Sequence, residues 1–345
     1  MKRSVLFLAA VTAAMFSGSS AKAEDEYASH IDITATLAAY EQRMESYEQR
    51  IAELEGGDLG GEGCGCDDCC TDPCCRSCGI VGGVEVAFLR PHASDGIGAA
   101  AFLVLPPPVF GAFADADLEF DFETTPRLWV GYQGSNGLGV RARYWEFDHT
   151  VAGTGEIAGV GVFGAFHGID TYVMDAEVTD TTELGCNWDA TVFGGLRYVD
   201  YVENRGIFIP ANGLVVFGNQ FNSDSIGPTA GLELRCCVRE NVALFGITRG
   251  SILMGTENEF GVITPGPVDP GFALIDSESN NVFNIVEVQL GVEATRPLAD
   301  GGYAFARAAL EAQHWGNFGD TPFGFGNGGR AVGFAGGTIA VGIVR

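Results

Sequence analysis

The chain has 345 residues, with 19 Lys and Arg against 45 Asp and Glu, a formal net charge of −26. An acid excess of that size repels phosphate, so nucleic acid and anionic lipid surfaces are excluded as partners. Fifty Gly, which disfavour helix, and 24 Phe point to an all-β body.

Met1–Ala23 reads as a secretory signal peptide. Lys2 and Arg3 supply the charged start, Val5–Phe16 an apolar stretch of 12 residues, and Ala21-Lys-Ala23 the small-residue cleavage site. Twelve apolar residues are too few to cross about 30 Å of hydrocarbon, so this is no anchor. Its removal takes away both lysines and leaves 16 Arg against 45 acids, a formal charge of −29. No later stretch reaches 18 uninterrupted apolar residues, so no transmembrane helix is expected. An exported chain of this kind is either soluble or a closed membrane barrel.

Residues 24–57 contain the one helical rhythm. Ile33, Leu37, Tyr40, Met44, Tyr47, Ile51 and Leu54 follow alternating spacings of four and three, the seam of a coiled coil, and Gly56-Gly57 ends it. Tyr40-Glu-Gln-Arg43 is repeated as Tyr47-Glu-Gln-Arg50. So short a seam is weak alone. The spacing therefore predicts a homo-oligomer, a trimer among the options, with a single amphipathic helix on the protein's own surface as the alternative.

Residues 58–78 hold seven of the ten cysteines: Cys64, Cys66, Cys69, Cys70, Cys74, Cys75 and Cys78. Exported thiols oxidise, so cross-linking disulfides are expected, inter-chain bonds among them. Seven is odd, and Cys186, Cys236 and Cys237 are the candidates within the chain for the remaining partner. Thiolate metal binding and a disordered tether are the alternatives; the crowding of the cysteines suits no single tetrahedral site.

Residues 79–345 read as strands divided by Gly, Asn, Asp and Pro turns. The expected strands are 80–90, 117–133, 138–149, 168–179, 189–203, 213–221, 227–238, 241–254, 281–295, 302–315 and 330–344. In 302–313, Ala304, Ala306, Ala308, Leu310 and Ala312 share one face, opposite Tyr303, Phe305, Arg307, Glu311 and Gln313. In 281–295, Val286, Val288, Leu290, Val292 and Ala294 oppose Glu287, Gln289 and Glu293; in 138–149, Leu138, Val140, Ala142 and Tyr144 oppose Arg141 and Arg143. A smooth apolar face backed by charge predicts a wall between lipid and water: an antiparallel transmembrane β-barrel of about 10–12 strands, all-β apart from the N-terminal helix. Arg141, Arg143, Arg197, Glu287, Gln289, Glu293, Arg307 and Glu311 are then the candidate pore-lining residues.

Asp115, Asp117, Glu119, Asp121 and Glu123 alternate along one predicted face, which is expected to point into water at the lumen or rim, with Arg141, Arg143, Arg197 and Arg307 available to offset it. Glu146, Asp148 and His149 sit close in sequence but on opposite faces, and they read as a rim cluster rather than acid–base machinery. There is no H-E-x-x-H, nucleophile elbow or P-loop, so no enzyme, cofactor or metal is expected.

The segments Phe120–Trp129, Gly137–Phe147, with its Arg-x-Arg-Tyr-Trp run at Arg141–Trp145, and Phe193–Tyr198 resemble the Legionella-type major outer-membrane protein family. The resemblance spans roughly 80–345, and Gly195-Leu-Arg-Tyr198 matches the family's "GLRY"-like strand. It implies a pore-forming barrel in outer-membrane lipid, with the N-terminal segment in the periplasm. The expected function is a diffusion pore for small hydrophilic solutes or ions, mildly cation-selective because 79–345 carries 31 acids against 13 Arg. The alternatives are a non-conducting envelope protein cross-linked by disulfides and a surface β-sandwich adhesin.

Overall fold

The computed structural model describes residues 78–93, 101–103, 112–114, 118–157, 161–184, 187–209, 214–263, 273–299, 302–318 and 330–345. The chain divides into two compact units, 1–65 and 66–345, and everything described belongs to the second. The signal peptide, the coiled coil and cysteines 64–75 lie outside the described residues. Cys78 is disulfide-bonded. Cys236 and Cys237 carry no disulfide, and Cys186 lies outside the described residues.

Twelve strands follow in order: β1 Gly79–Ala93, β2 Ala101–Leu103, β3 Ala112–Ala114, β4 Glu123–Gln133, β5 Leu138–Ile157, β6 Gly161–Glu183, β7 Trp188–Ile209, β8 Leu214–Arg239, β9 Val242–Ile263, β10 Ala273–Pro297, β11 Tyr303–Phe318 and β12 Arg330–Val344. Ten of them close a barrel in the order β1-β12-β11-β10-β9-β8-β7-β6-β5-β4; β2 and β3 pair separately as a small hairpin. Every pairing is antiparallel, and the seam runs between the first and last strands, from Val81 opposite Val344 to Ala93 opposite Val332. On the turn side the closed ladder leaves no unpaired edge, as a structure surrounded by lipid requires, whereas β4 pairs with β5 only from Gly139 to Trp145 and leaves the loop half of β5 without a β4 partner.

The sequence predicts eleven strands where ten form the wall. Residues 213–221 and 227–238 are one strand, β8, which runs straight through Gly227-Pro228. Pro228 is exposed on the outer face. The ladder to β9 keeps its register on either side, with Ile226 opposite Met254 and Thr229 opposite Ser251. A proline that lacks only its own N–H can sit in such a wall without shifting it. At the other end, β4 begins at Glu123 instead of 117. Residues 118–122 approach it as non-strand chain.

One rim carries tight connections, at 134–137, 184–187, 240–241 and 298–302. Gly137, at φ 89°, takes the left-handed conformation that the first of these needs. The opposite rim carries the longer segments 94–122, 264–272 and 319–329. On the outer face, Ile80, Val84, Leu128, Val130, Val140, Val178, Leu196, Val286, Val288, Leu290, Val292 and Leu310 are all exposed. They form an apolar band that begins at the turn rim. It ends at Tyr144, Tyr172 and Tyr198 on three adjacent strands, where the Tyr144 hydroxyl donates to Glu146 (2.6 Å) and the Tyr198 hydroxyl to Asp224 (3.0 Å). Tyrosine with an apolar body and a wet tip belongs at a bilayer interface.

β8 has 26 residues. At about 3.3 Å per residue and a tilt near 40°, it rises roughly 60 Å, more than twice the ~25 Å apolar band of such barrels. The barrel therefore continues well beyond the lipid on the loop side. Leu290, 62% exposed at the centre of the band, tests this placement. Leu290→Arg is expected to destabilise the folded barrel by about 2–4 kcal/mol in urea titrations in lipid, whereas Asn280→Arg beyond the tyrosines should change it by less than about 1 kcal/mol.

Candidate functional site

Because side chains alternate along a strand, each residue opposite the apolar band points into the barrel. Read from the turn rim upward, these inward residues form layers. Next to the rim stand rings: Trp129, Phe193, Phe245, Tyr303 and Phe305. Trp129, Phe193, Phe245 and Phe305 each lie against an inward glycine on a neighbouring strand. At Gly231 a Cβ would overlap the Phe193 ring, and at Gly342 it would overlap Phe305. Guanidiniums cover their other faces, with Arg141 and Arg249 4.7 and 4.8 Å from the Phe193 centroid and Arg307 4.8 Å from that of Phe245.

Above the rings runs a belt of ion pairs. Arg197, 1% exposed, holds Asp175 bidentately (2.7 and 3.0 Å) and donates a third bond to Glu287 (2.6 Å). Glu287 also accepts from Arg249 (2.9 Å), whose other end pairs with Glu177 (2.8 Å). Arg127 bridges Glu85 (2.8 Å) and both oxygens of Glu311 (2.6 and 2.7 Å). Gln289 and Gln313 complete the acceptor sites of Glu311 (2.8 and 2.5 Å). Nearer the rim, Glu293 accepts from Arg235 (2.8 Å) and Arg307 (2.6 Å); Arg307 also pairs with Glu233 (3.0 Å) and Arg235 with Asp189 (3.3 Å). Charges this far from water persist because each is paired and hydrogen-bonded.

Over the belt sits an aromatic plug. Trp145, Phe147, Tyr201, Phe221, Phe283, Trp315 and Phe334 belong to one buried cluster with Leu89, Ile169, Val199 and Leu253. Trp315 packs edge-on to Trp145 (5.7 Å) and Phe334 (5.5 Å). Polar handles are satisfied locally, the Trp315 indole by Gln313 (2.8 Å) and that of Trp145 by Thr125 (2.9 Å).

The segment 118–122 packs against the loop side of the plug. Leu118 and Phe120 are buried there while Glu119 and Asp121 are exposed to water, in keeping with the rim placement expected of this acidic face and not the lumen one; Asp115 and Asp117 lie outside the described residues. Apolar burial decides that orientation: Phe120 fills the space between His149 and His167, with ring centroids 5.6 and 5.0 Å away. Glu123 pairs with His149 (2.8 Å) and Glu119 with Arg90 (3.4 Å). The arginines expected to offset this acidic run, Arg141, Arg143, Arg197 and Arg307, pair with other carboxylates deeper in the barrel. Glu146 is exposed on the outer wall and His149 faces inward, on opposite sides of β5 as their alternation requires.

The eight candidate pore-lining residues carry their side chains on the inner face of the wall, within the ion-paired belt. The structure gathers Arg143, Arg197 and Glu287 into one cluster, Gln289 and Glu311 into a second, and Glu293 and Arg307 into a third, with Arg141 beside the first through Glu177 (2.8 Å). Sequence reasoning missed Glu85, Arg127, Asp175, Glu177, Asp189, Glu233, Arg235 and Arg249. Asp175 and Glu177 alternate with Met174, Ala176 and Val178, the same signature as in 281–295, and could have been found. Arg249 stands between Thr248 and Gly250, where no apolar face announces a wall.

Among solved structures, the outer membrane protease OmpT of Escherichia coli aligns over 77% of this chain and 95% of its own, at 10% identity and a TM-score of 0.44. The Pseudomonas putida toluene transporter TodX aligns over 77% and 90% at 8% identity and a TM-score of 0.34. A Pseudomonas aeruginosa FadL homologue aligns over 78% and 90% at 8% identity and 0.25. Likeness at this level carries no argument about activity. No curated protein matches the chain. The family model described as "Legionella pneumophila major outer membrane protein precursor" matches residues 73–323, most of the barrel and the segment leading into it. The chain therefore belongs to the Legionella pneumophila major outer membrane protein family and is an outer-membrane β-barrel protein.

Proposed function

We propose that this barrel is a sealed, structural component of the outer membrane and does not act as a standing diffusion pore. The observation that carries this reading is the continuous filling of the lumen, by the ion-paired belt and then by the plug, with Arg197 at 1% and Trp315 at 0% exposure. Ion flow would have to separate charges that are already paired and then pass through close-packed rings. The belt also weakens the argument for cation selectivity. It sets seven guanidiniums (Arg127, Arg141, Arg143, Arg197, Arg235, Arg249, Arg307) against eight carboxylates (Glu85, Asp175, Glu177, Asp189, Glu233, Glu287, Glu293, Glu311). The large acid excess of 79–345 therefore resides elsewhere.

The second reading is the porin-like one, a pore for small hydrophilic solutes or ions. The family match and the lumen-facing charges favour it, and it requires the belt to open. Under either reading, residues 24–57 are proposed to form a periplasmic coiled-coil stalk that joins copies, and the cysteine cluster to cross-link neighbours into a lattice. Detergent-purified protein in a planar bilayer under a salt gradient tests the main reading. The expected record is silent, at the resolution that detects a known porin. Stable unitary steps would establish the pore instead, and their reversal potential would give its selectivity.

A further inference from the structure

We propose that the cavity at the turn rim binds a small organic carboxylate with an apolar body about the size of one aromatic ring. The cavity has a volume of about 160 Å³. Engineered cavities of roughly that volume take benzene. Tyr303 and Val344 line it at the turn rim, and residues of the belt line it on the other side.

The chemistry of the ligand follows from what these belt residues leave unmet. Arg141 and Arg143 stand two apart on β5 and both line the cavity. Arg143 approaches Asp175 at 3.6 Å and Glu287 at 4.0 Å, beyond hydrogen-bond length, and among the described residues it makes no hydrogen bond. Arg141 spends its Nε on Glu177 (2.8 Å), its Nη1 lies 3.8 Å from Glu233, and its buried Nη2 makes no hydrogen bond among the described residues. The carboxylates nearby are already engaged: Glu287 by Arg197 and Arg249, Glu293 by Arg235 and Arg307. The vacant capacity is therefore for an acceptor, and two neighbouring guanidiniums suit the two oxygens of a carboxylate. Trp129 lies opposite Arg143 across the β4–β5 ladder and stacks on Phe305 at 5.7 Å. Both rings line the same cavity. They offer an apolar wall beside the Arg141–Arg143 pair, the combination that separates an organic carboxylate from phosphate or sulfate.

Benzoate is the probe. Isothermal titration of the detergent-solubilised protein should give saturable binding to benzoate, with benzyl alcohol, benzylamine and inorganic phosphate each at least about tenfold weaker, the loss of roughly one charge-assisted contact. Arg143→Gln should weaken benzoate about tenfold or more and leave benzyl alcohol unchanged. On the unaltered protein, photolabelling with 4-azidobenzoate should mark peptides containing Trp129 or Phe305. No benzoate binding, phosphate or benzylamine binding as tightly, an unaffected Arg143→Gln variant, or label confined to the outer wall would each overturn the assignment. A conducting barrel that still binds benzoate at this site would leave it standing, so its fate is separable from that of the sealed-barrel reading.

Discussion

Replacing Arg197 by leucine is expected to destabilise the folded barrel by about 3–5 kcal/mol, the usual consequence of removing one partner from a buried ion pair. The guanidinium satisfies Asp175 twice and Glu287 once. Without it, a belt that already carries one more carboxylate than guanidinium loses a cation at its most enclosed point. Arg143 and Arg249 remain within 4.0 Å of both acids and temper the loss. The double change Arg197→Leu with Asp175→Leu should recover most of the stability, because it removes an adjacent opposite pair, replaces it with apolar volume and restores the original charge balance. Urea midpoints of the heat-shifted gel band, for the wild type, both single variants and the double, measure the coupling. If the double variant is no more stable than Arg197→Leu alone, the belt does not hold the barrel together by charge pairing.

Trp315→Ala should be of similar size, about 3–5 kcal/mol, for a different reason. The indole has no exposed surface and touches three other rings, Trp145, Phe334 and Tyr201, at 5.5–6.1 Å. Alanine would leave a cavity at the centre of the plug, and a rigid strand framework gives the surrounding rings little freedom to collapse into it. The same variant separates the two seals. Since the belt lies between the plug and the turn rim, Trp315→Ala protein should remain silent in a bilayer although less stable. Conductance from this single change would mean that the plug alone keeps the lumen shut.

Much of the wall was legible because lipid and lumen demand opposite chemistries at alternate positions. Val286, Val288, Leu290 and Val292 against Glu287, Gln289 and Glu293 can hardly be anything but a boundary. Arg141 and Arg143 were readable for the same reason. The plug was not, because on the loop half of strands such as β12 both faces are apolar. Phe334 then gives no sign of facing inward, and the alternation that defines the wall disappears where the lumen itself becomes a dry core. Pro228 misled in the opposite direction: a residue that usually marks a break sits on the outer face of an unbroken strand. The acidic segment at Glu119–Glu123 was read by its charges, whereas Phe120 and Leu118 decide its orientation. How the charges sort into partners also escapes a one-dimensional reading, since Arg127 and Glu311 meet across 184 positions of chain.

The seam between β1 and β12 has a consequence for the order of assembly. Neighbouring strands such as β4 and β5 can zip from a tight turn as soon as both exist. The seam instead joins Val81 to Val344, and Ile80 and Arg345 exchange backbone bonds beside it (2.5 and 2.8 Å). Closing so long a span carries the largest entropic penalty of any contact in the wall, which places it late in folding. Until then, β1 and β11 both present open edges, with backbone groups that lipid cannot satisfy, and the belt and plug have only part of their partners. A nascent sheet of nine strands is thus a sticky, half-charged ribbon that must be chaperoned or templated. Ordering the fifteen residues of β12 fills the gap between β1 and β11 in a single step and satisfies both edges.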